Sequence, residues 1–215
     1  MNRSGKLALG LLMVWFFLAL VAAARGAFVN PLHGVGVTVG IAALIPILLF
    51  FAWFGLSPSF RKFVFSLNPG TLTALQTWRI IGLVFVVLEA HRALPAVFAL
   101  PAGYGDIAIG ATASFVAWKF ANPERRGVFI LWQLLGILDL VTAVSLGTTA
   151  RLISPSGPTM LLVTQLPLSL IPTFFVPLFT MIHVICIAQA KAWKAENSRT
   201  QRRGLPISGA ALGAF

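Results

Sequence analysis

Apolar residues run almost unbroken through six stretches of this chain: Leu7–Ala24, Val35–Leu56, Leu72–Leu100, Pro101–Ala121, Val128–Gly147 and Leu166–Ala190. Each is close to or above the roughly 20 residues that a helix needs to cross a bilayer's hydrocarbon. Polar residues and helix breakers collect between them. Asn30-Pro31 with Gly34, Ser57-Pro58, Asn68-Pro69-Gly70, Asn122-Pro123 and Ser154-Pro155-Ser156-Gly157-Pro158 carry the turn chemistry. The third and fourth stretches are joined almost without a loop, which predicts a tight helical hairpin at Leu100-Pro101. The pattern therefore predicts an all-α polytopic transmembrane bundle of six spans over residues 1–190, followed by a basic, disordered tail over 191–215.

Helical spacing says which faces pack. Asp106, Gly110, Ala113 and Ala117 share one face of the fourth span, and Gly136, Asp139, Ala143 and Gly147 share one of the fifth. Arg79, Gly82, Val86, Glu89 and Ala93 line the third, and Gly36, Gly40 and Ala43 lie on the second. Small residues at such spacing let backbones approach closely in lipid, so the third, fourth and fifth stripes are expected to meet. Pro167, Pro172 and Pro177, five apart, predict a sixth span that is kinked or starts late, because each lacks a backbone donor. Trp78-Arg79-Ile80-Ile81-Gly82 in the third span echoes Trp132-Gln133-Leu134-Leu135-Gly136 in the fifth, too short a likeness to establish a repeat.

Composition supports lipid as the solvent. Apolar residues make up 58% of the chain and charged ones only 10%, against about 25% in a typical soluble domain. The net charge of +11 does not point to nucleic acid, because the basic residues flank the apolar stretches. Arg3, Lys6, Arg61, Lys62, Lys119, Arg125, Arg126 and the tail residues Lys191, Lys194, Arg199, Arg202 and Arg203 fall on one side, leaving Arg25 and Arg151 on the other. That bias predicts cytoplasmic N- and C-termini in a cytoplasmic (inner) membrane, with anionic headgroups as the partners of the basic face. The first span also imitates a secretory signal, with Ala22-Ala23-Ala24 as the cleavage-like end. Its long apolar run and Trp15-Phe16-Phe17 favour an uncleaved helix. The single cysteine, Cys186, provides neither a disulfide nor a thiol metal site.

The candidate chemistry is the charge inside the spans, because a charged side chain at mid-bilayer costs about 2.5–3.5 kcal/mol even on the insertion scale. Measured from the middle of each predicted span, Glu89, Arg92, Asp106 and Asp139 fall about 3–10 Å to the outer side. Arg79, Gln133 and His183 fall roughly 7–9 Å to the inner side. The expected outer partnership is Arg92 with Asp106, a clamp across the hairpin, with Glu89 competing for Arg92. Asp139 has no basic residue on its own helix and is the candidate proton or solute carrier. His91 and His183 differ too much in depth to share one haem, and His33 reads as a solvated loop residue. No metalloprotease, nucleophile-elbow or phosphate-loop motif is present, and no cofactor or metal is expected. Gly103-Tyr104-Gly105-Asp106 lacks the strand context of a nucleotide site. Three functional classes stay open. One is handling of a small solute or protons through an outward-facing polar cavity, or service as an accessory subunit of a membrane complex. The others are an enzyme using intramembrane carboxylates on a lipid or isoprenoid, and a structural subunit.

Overall fold

The computed structural model describes residues 3–29 and 36–203, with side chains as far as residue 193. The Asn30-Pro31 turn, His33, Gly34 and the tail from residue 204 lie outside the described residues. The helices are α1 (Arg3–Ala24), α2 (Val37–Leu56), α3 (Pro58–Ser66), α4 (Pro69–Ala90), α5 (Ala96–Phe120), α6 (Arg126–Ile153) and α7 (Val176–Arg203). Among the described residues there is no strand. Among the described residues, six helices are long and apolar enough to cross a membrane: α1, α2, α4, α5, α6 and the stretch Ile171–Trp193 that contains most of α7. The last helix is described as far as Arg203.

The breakers at Ser57-Pro58 and Asn68-Pro69 start helices as well as ending them. Ser57 Oγ accepts from the Phe60 amide at 3.2 Å and Asn68 Oδ1 from the Thr71 amide at 3.0 Å, each with proline as the first helical residue. A capping oxygen followed by proline is the preferred helix start, and it inserts the short helix α3 between the second and third spans. Gln189 of α7 ties α3 down by donating to the Val64 and Leu67 carbonyls at 2.9 and 2.8 Å.

The hairpin between the third and fourth spans forms at residues 91–95, not at Leu100-Pro101. Ala93 N–H bonds back to the Leu88 carbonyl and Arg92 N–H to that of Glu89, with Arg92 at φ 54°. This is a Schellman ending, in which the left-handed position normally falls to glycine. Leu94 precedes Pro95 and is thereby driven out of helical geometry, so the first proline of the pair sets the break. Pro101 is accommodated within α5 on an exposed face.

Two further departures bear on the site. Residues Leu75–Gly82 of α4 are a 3-10 helix, flanked by α-helical Pro69–Ala74 and Leu83–Ala90. The sixth span does start late: Leu161–Thr164 is a single 3-10 turn, Ile171–Phe175 a π-helical turn, and regular α-helix begins at Val176. The prolines remove the donors that would have continued it upstream.

Helices α4 to α7 form the core, and α1 and α2 flank it. Half of the most apolar window of the last span is buried (50%), against 11% for α1 and 6% for α2. One apolar cluster joins α5, α6 and α7 through Ile109, Phe129, Trp132, Phe179 and Ile182. Another joins the ends of α4 and α5 to α6 and the broken segment through Phe85, Phe98, Ala150, Met160 and Val163. The flank is attached by rings, with Trp15 and Phe16 of α1 against Phe174 at centroid distances of 4.6 and 5.1 Å. Outward faces carry Val14, Leu18, Leu48, Leu138 and many similar side chains, a surface suited to hydrocarbon.

Because Arg92 is held in the left-handed region with its side chain exposed, Arg92→Gly is expected to raise unfolding stability by about 1 kcal/mol. Denaturant titration of the purified protein measures it. A loss of stability would show that the side chain carries a contact this geometry does not provide.

Candidate functional site

A buried guanidinium organises the centre of the bundle. Arg79 is 1% exposed, and Nε donates to Asp106 Oδ1 at 2.7 Å. Nη2 donates to Asp139 Oδ2 in a second ion pair. Nη1 donates to the Gly136 carbonyl at 3.3 Å and reaches His183 Nε2 at 3.2 Å. A guanidinium has only donors, so His183 Nε2 must accept and the ring is the neutral tautomer protonated at Nδ1. That Nδ1 donates to Gln133 Oε1 at 2.5 Å, and Gln133 Nε2 donates to Thr73 Oγ1 at 2.9 Å. Thr73 and Cys186 are in contact at 3.8 Å, and the Cys186 thiol donates to the Pro69 carbonyl at 3.9 Å. The hydrogen bonds can therefore all run one way, from Arg79 to the start of α4.

The observed helix boundaries explain why these groups meet. Arg79 is the eleventh residue of the 22 in Pro69–Ala90, and Asp106 the eleventh of the 25 in Ala96–Phe120. Asp139 is fourteenth of the 28 in Arg126–Ile153, and His183 thirteenth of the 23 in Ile171–Trp193. All four stand at mid-span. For these four the separation into outer and inner groups does not hold, because a hairpin at residues 91–95 in place of Leu100-Pro101 moves the middle of the third span by about two turns. The 3-10 segment, rising about 2.0 Å per residue against 1.5 Å in an α-helix, moves Arg79 further along the axis.

The expected Arg92–Asp106 clamp is absent, since Arg79 occupies Asp106. Arg92 and His91 are exposed at the end of α4, Glu89 is half-buried there, and none joins an ion pair among the described residues. No three His, Cys, Asp or Glu side chains gather as a metal site among the described residues.

Glycines permit the close approach. A Cβ on Gly82 would overlap Asp106, one on Gly105 would overlap the Asp139 carboxylate, and one on Gly136 would overlap the His183 ring. At Gly110 it would sit 2.6 Å from the Ile80 backbone nitrogen. The third, fourth and fifth stripes thus meet as their spacing suggests, with the charges between them. The α4 side has a different period, however. Thr73, Gln76, Arg79 and Gly82 recur every three residues and all are buried. In a 3-10 helix residues three apart eclipse, so Gln76, Arg79 and Gly82 face the core together, and Thr73 lies in the α-helical turn just before them. An α-helical wheel spreads these four residues over half its circumference, so the 3.6-residue period does not mark Thr73 and Gln76 as core positions.

Electrostatically the centre is incomplete. One guanidinium faces two carboxylates, and the imidazole is neutral. With both acids ionised the cluster is short of one positive charge. Each carboxylate uses one oxygen on Arg79, and the two acid side chains remain 15% and 13% exposed. Beside them lies a cavity of about 200 Å³ whose charged lining residues are Arg79 and Asp106. Its other walls are apolar, among them Trp78, Leu140, Ile171, Phe175 and Phe179. It is therefore an apolar chamber with a charged patch.

Replacing Arg79 alone leaves two buried carboxylates unpaired, so Arg79→Gln is expected to destabilise the protein by about 3–5 kcal/mol. Adding Asp139→Asn removes one of those charges and is expected to recover a large part of the loss. Strictly additive costs in a denaturation cycle would deny the coupling.

Residues 35–190 match the family model described as Domain of unknown function (DUF8737), and the chain belongs to that family. No curated protein and no solved structure matches it.

Proposed function

We propose that this member of the DUF8737 family is a six-span protein of the cytoplasmic membrane that binds and releases a proton at a mid-membrane Arg79–Asp106–Asp139 centre, in the handling of protons or a small solute. The observation that carries the reading is the charge count: one fixed cation between two carboxylates, enclosed by neutral groups. Ionic groups at that depth normally mark a proton or solute pathway. A purely structural clamp needs one acid, whereas the second leaves a negative charge that a proton neutralises.

The basic residues support cytoplasmic termini. Ser4 of α1 and Ser59 of α3 are hydrogen-bonded at 3.1 Å, and Gln189 holds α3 against α7. Arg3, Lys6, Arg61, Lys62 and Lys191 thereby gather at one end of the bundle, where anionic headgroups are the fitting partner. Arg25, Arg151 and the hairpin residue Arg92 are left for the opposite end. Binding is favoured over lipid-modifying catalysis, because Arg79 engages both carboxylates well away from headgroup depth.

Infrared spectroscopy of the reconstituted protein tests the reading. Acidification from about pH 9 to 4 is expected to produce a protonated-carboxyl band that Asp139→Asn or Asp106→Asn removes. A spectrum without such a band would leave a permanently ionised, structural triad.

A further inference from the structure

We propose that the cavity beside Asp106 binds a small lipophilic cation, a protonated hydrophobic amine, entering from the apolar surroundings. The inference deepens the preceding reading and rests on it, since the cation would supply the positive charge that a proton otherwise supplies.

Three observations lead to this ligand class. First, the sign of the charge is set by the cluster. An anion drawn to Arg79 would meet two carboxylates already there, whereas an ammonium completes the balance. Asp106 Oδ1 is engaged by Arg79 Nε, and its second oxygen is the acceptor left for an N–H donor. Second, the walls suit an apolar body. Trp78, Phe175 and Phe179 line the cavity, and aromatic faces attract cations as well as burying hydrocarbon. Third, size and position limit the guest. A water claims about 30 Å³ in the liquid, so a volume of about 200 Å³ has room for a small organic ion. Drug-sized ligands occupy pockets of roughly 300–1,000 Å³. Trp78 and Ile81, both in the lining, are 67% and 59% exposed on the outer surface of α4. That surface is apolar, so the approach runs between α4 and the broken segment around Ile171.

Proton and amine then compete for one negative charge. The charged and titratable groups facing it are Arg79 from α4, Asp139 from α6 and, behind Arg79, neutral His183 from α7. Binding of the amine in its ammonium form displaces the proton held by the carboxyl pair, and the complex keeps the same net charge.

Calorimetry on the full chain in lipid nanodiscs, with benzylammonium, benzyl alcohol and benzoate as probes, tests this. Benzylammonium is expected to bind roughly tenfold more tightly than benzyl alcohol, and benzoate not at all. One proton should be released per cation, seen as heats that depend on the buffer's ionisation enthalpy. Ile171→Trp and Val84→Phe fill the cavity without touching a charge, and either is expected to abolish binding while leaving the infrared carboxyl band intact. Equal affinity for the alcohol, binding without proton release, or binding that survives both filled variants would each overturn the inference. If the carboxyl band titrates but benzylammonium does not bind, this inference fails and the proton reading stands. If the band never appears, the reading beneath it has failed as well.

Discussion

The Arg79 guanidinium, held between two carboxylates at the middle of four helices, is the constraint around which the rest of the bundle is arranged. Removing such a charge from water costs several kcal/mol per ion even after relaxation, and lipid offers no compensation. The chain meets the requirement by engaging four of the five N–H donors: two carboxylates, a backbone carbonyl and a neutral imidazole surround one side chain. Each partner comes from a different turn of α5, α6 or α7, so the interaction fixes the depth and rotation of three helices relative to α4. Apolar packing in lipid is weakly directional. A buried charge that accepts few geometries selects one arrangement among many of similar packing energy.

Several local oddities become intelligible as consequences. Glycines at 82, 105, 110 and 136 stand where a methyl group would push a helix away from the centre. The 3-10 stretch Leu75–Gly82 turns Gln76 and Arg79 to the same side, and with Thr73 of the turn before it one helix supplies three polar groups to the interior. The hydrogen-bonded line through His183, Gln133, Thr73 and Cys186 then extends the fixed geometry toward the beginning of α4. The proline-broken segment before α7 prevents a continuous helix from sealing the side of the cluster, and its residues wall the cavity instead. Structure and proposed chemistry therefore share one cause: a charge that must be partnered, beside a segment that cannot pack as regular helix.

The readable and unreadable parts of the sequence divide along physical lines. Six apolar runs, the small-residue stripes and the late start of the last span were legible because each depends on local composition and period. The hairpin's position is not legible, because Pro95 and Pro101 send the same breaker signal within two turns of helix. Only the Arg92 backbone and the packing of Leu94 and Phe98 decide between them. Shifting that break changed the estimated depth of Arg79 and Asp106 together, and so hid their partnership and suggested Arg92 instead.

By itself, the sequence determined that the chain is helical, that its surface suits hydrocarbon, and that Arg79, Asp106, Asp139 and His183 are costly residues in need of partners. Composition and the 3.6-residue period are local properties, and they suffice for those conclusions. Only the tertiary structure decided which charge meets which, that His183 accepts from Arg79 at Nε2 and donates to Gln133 at Nδ1, and that the acids outnumber the cation beside an apolar cavity. Those facts depend on distances between residues as much as 104 positions apart, set by a helix boundary and a change of helical rise. No local pattern encodes such distances.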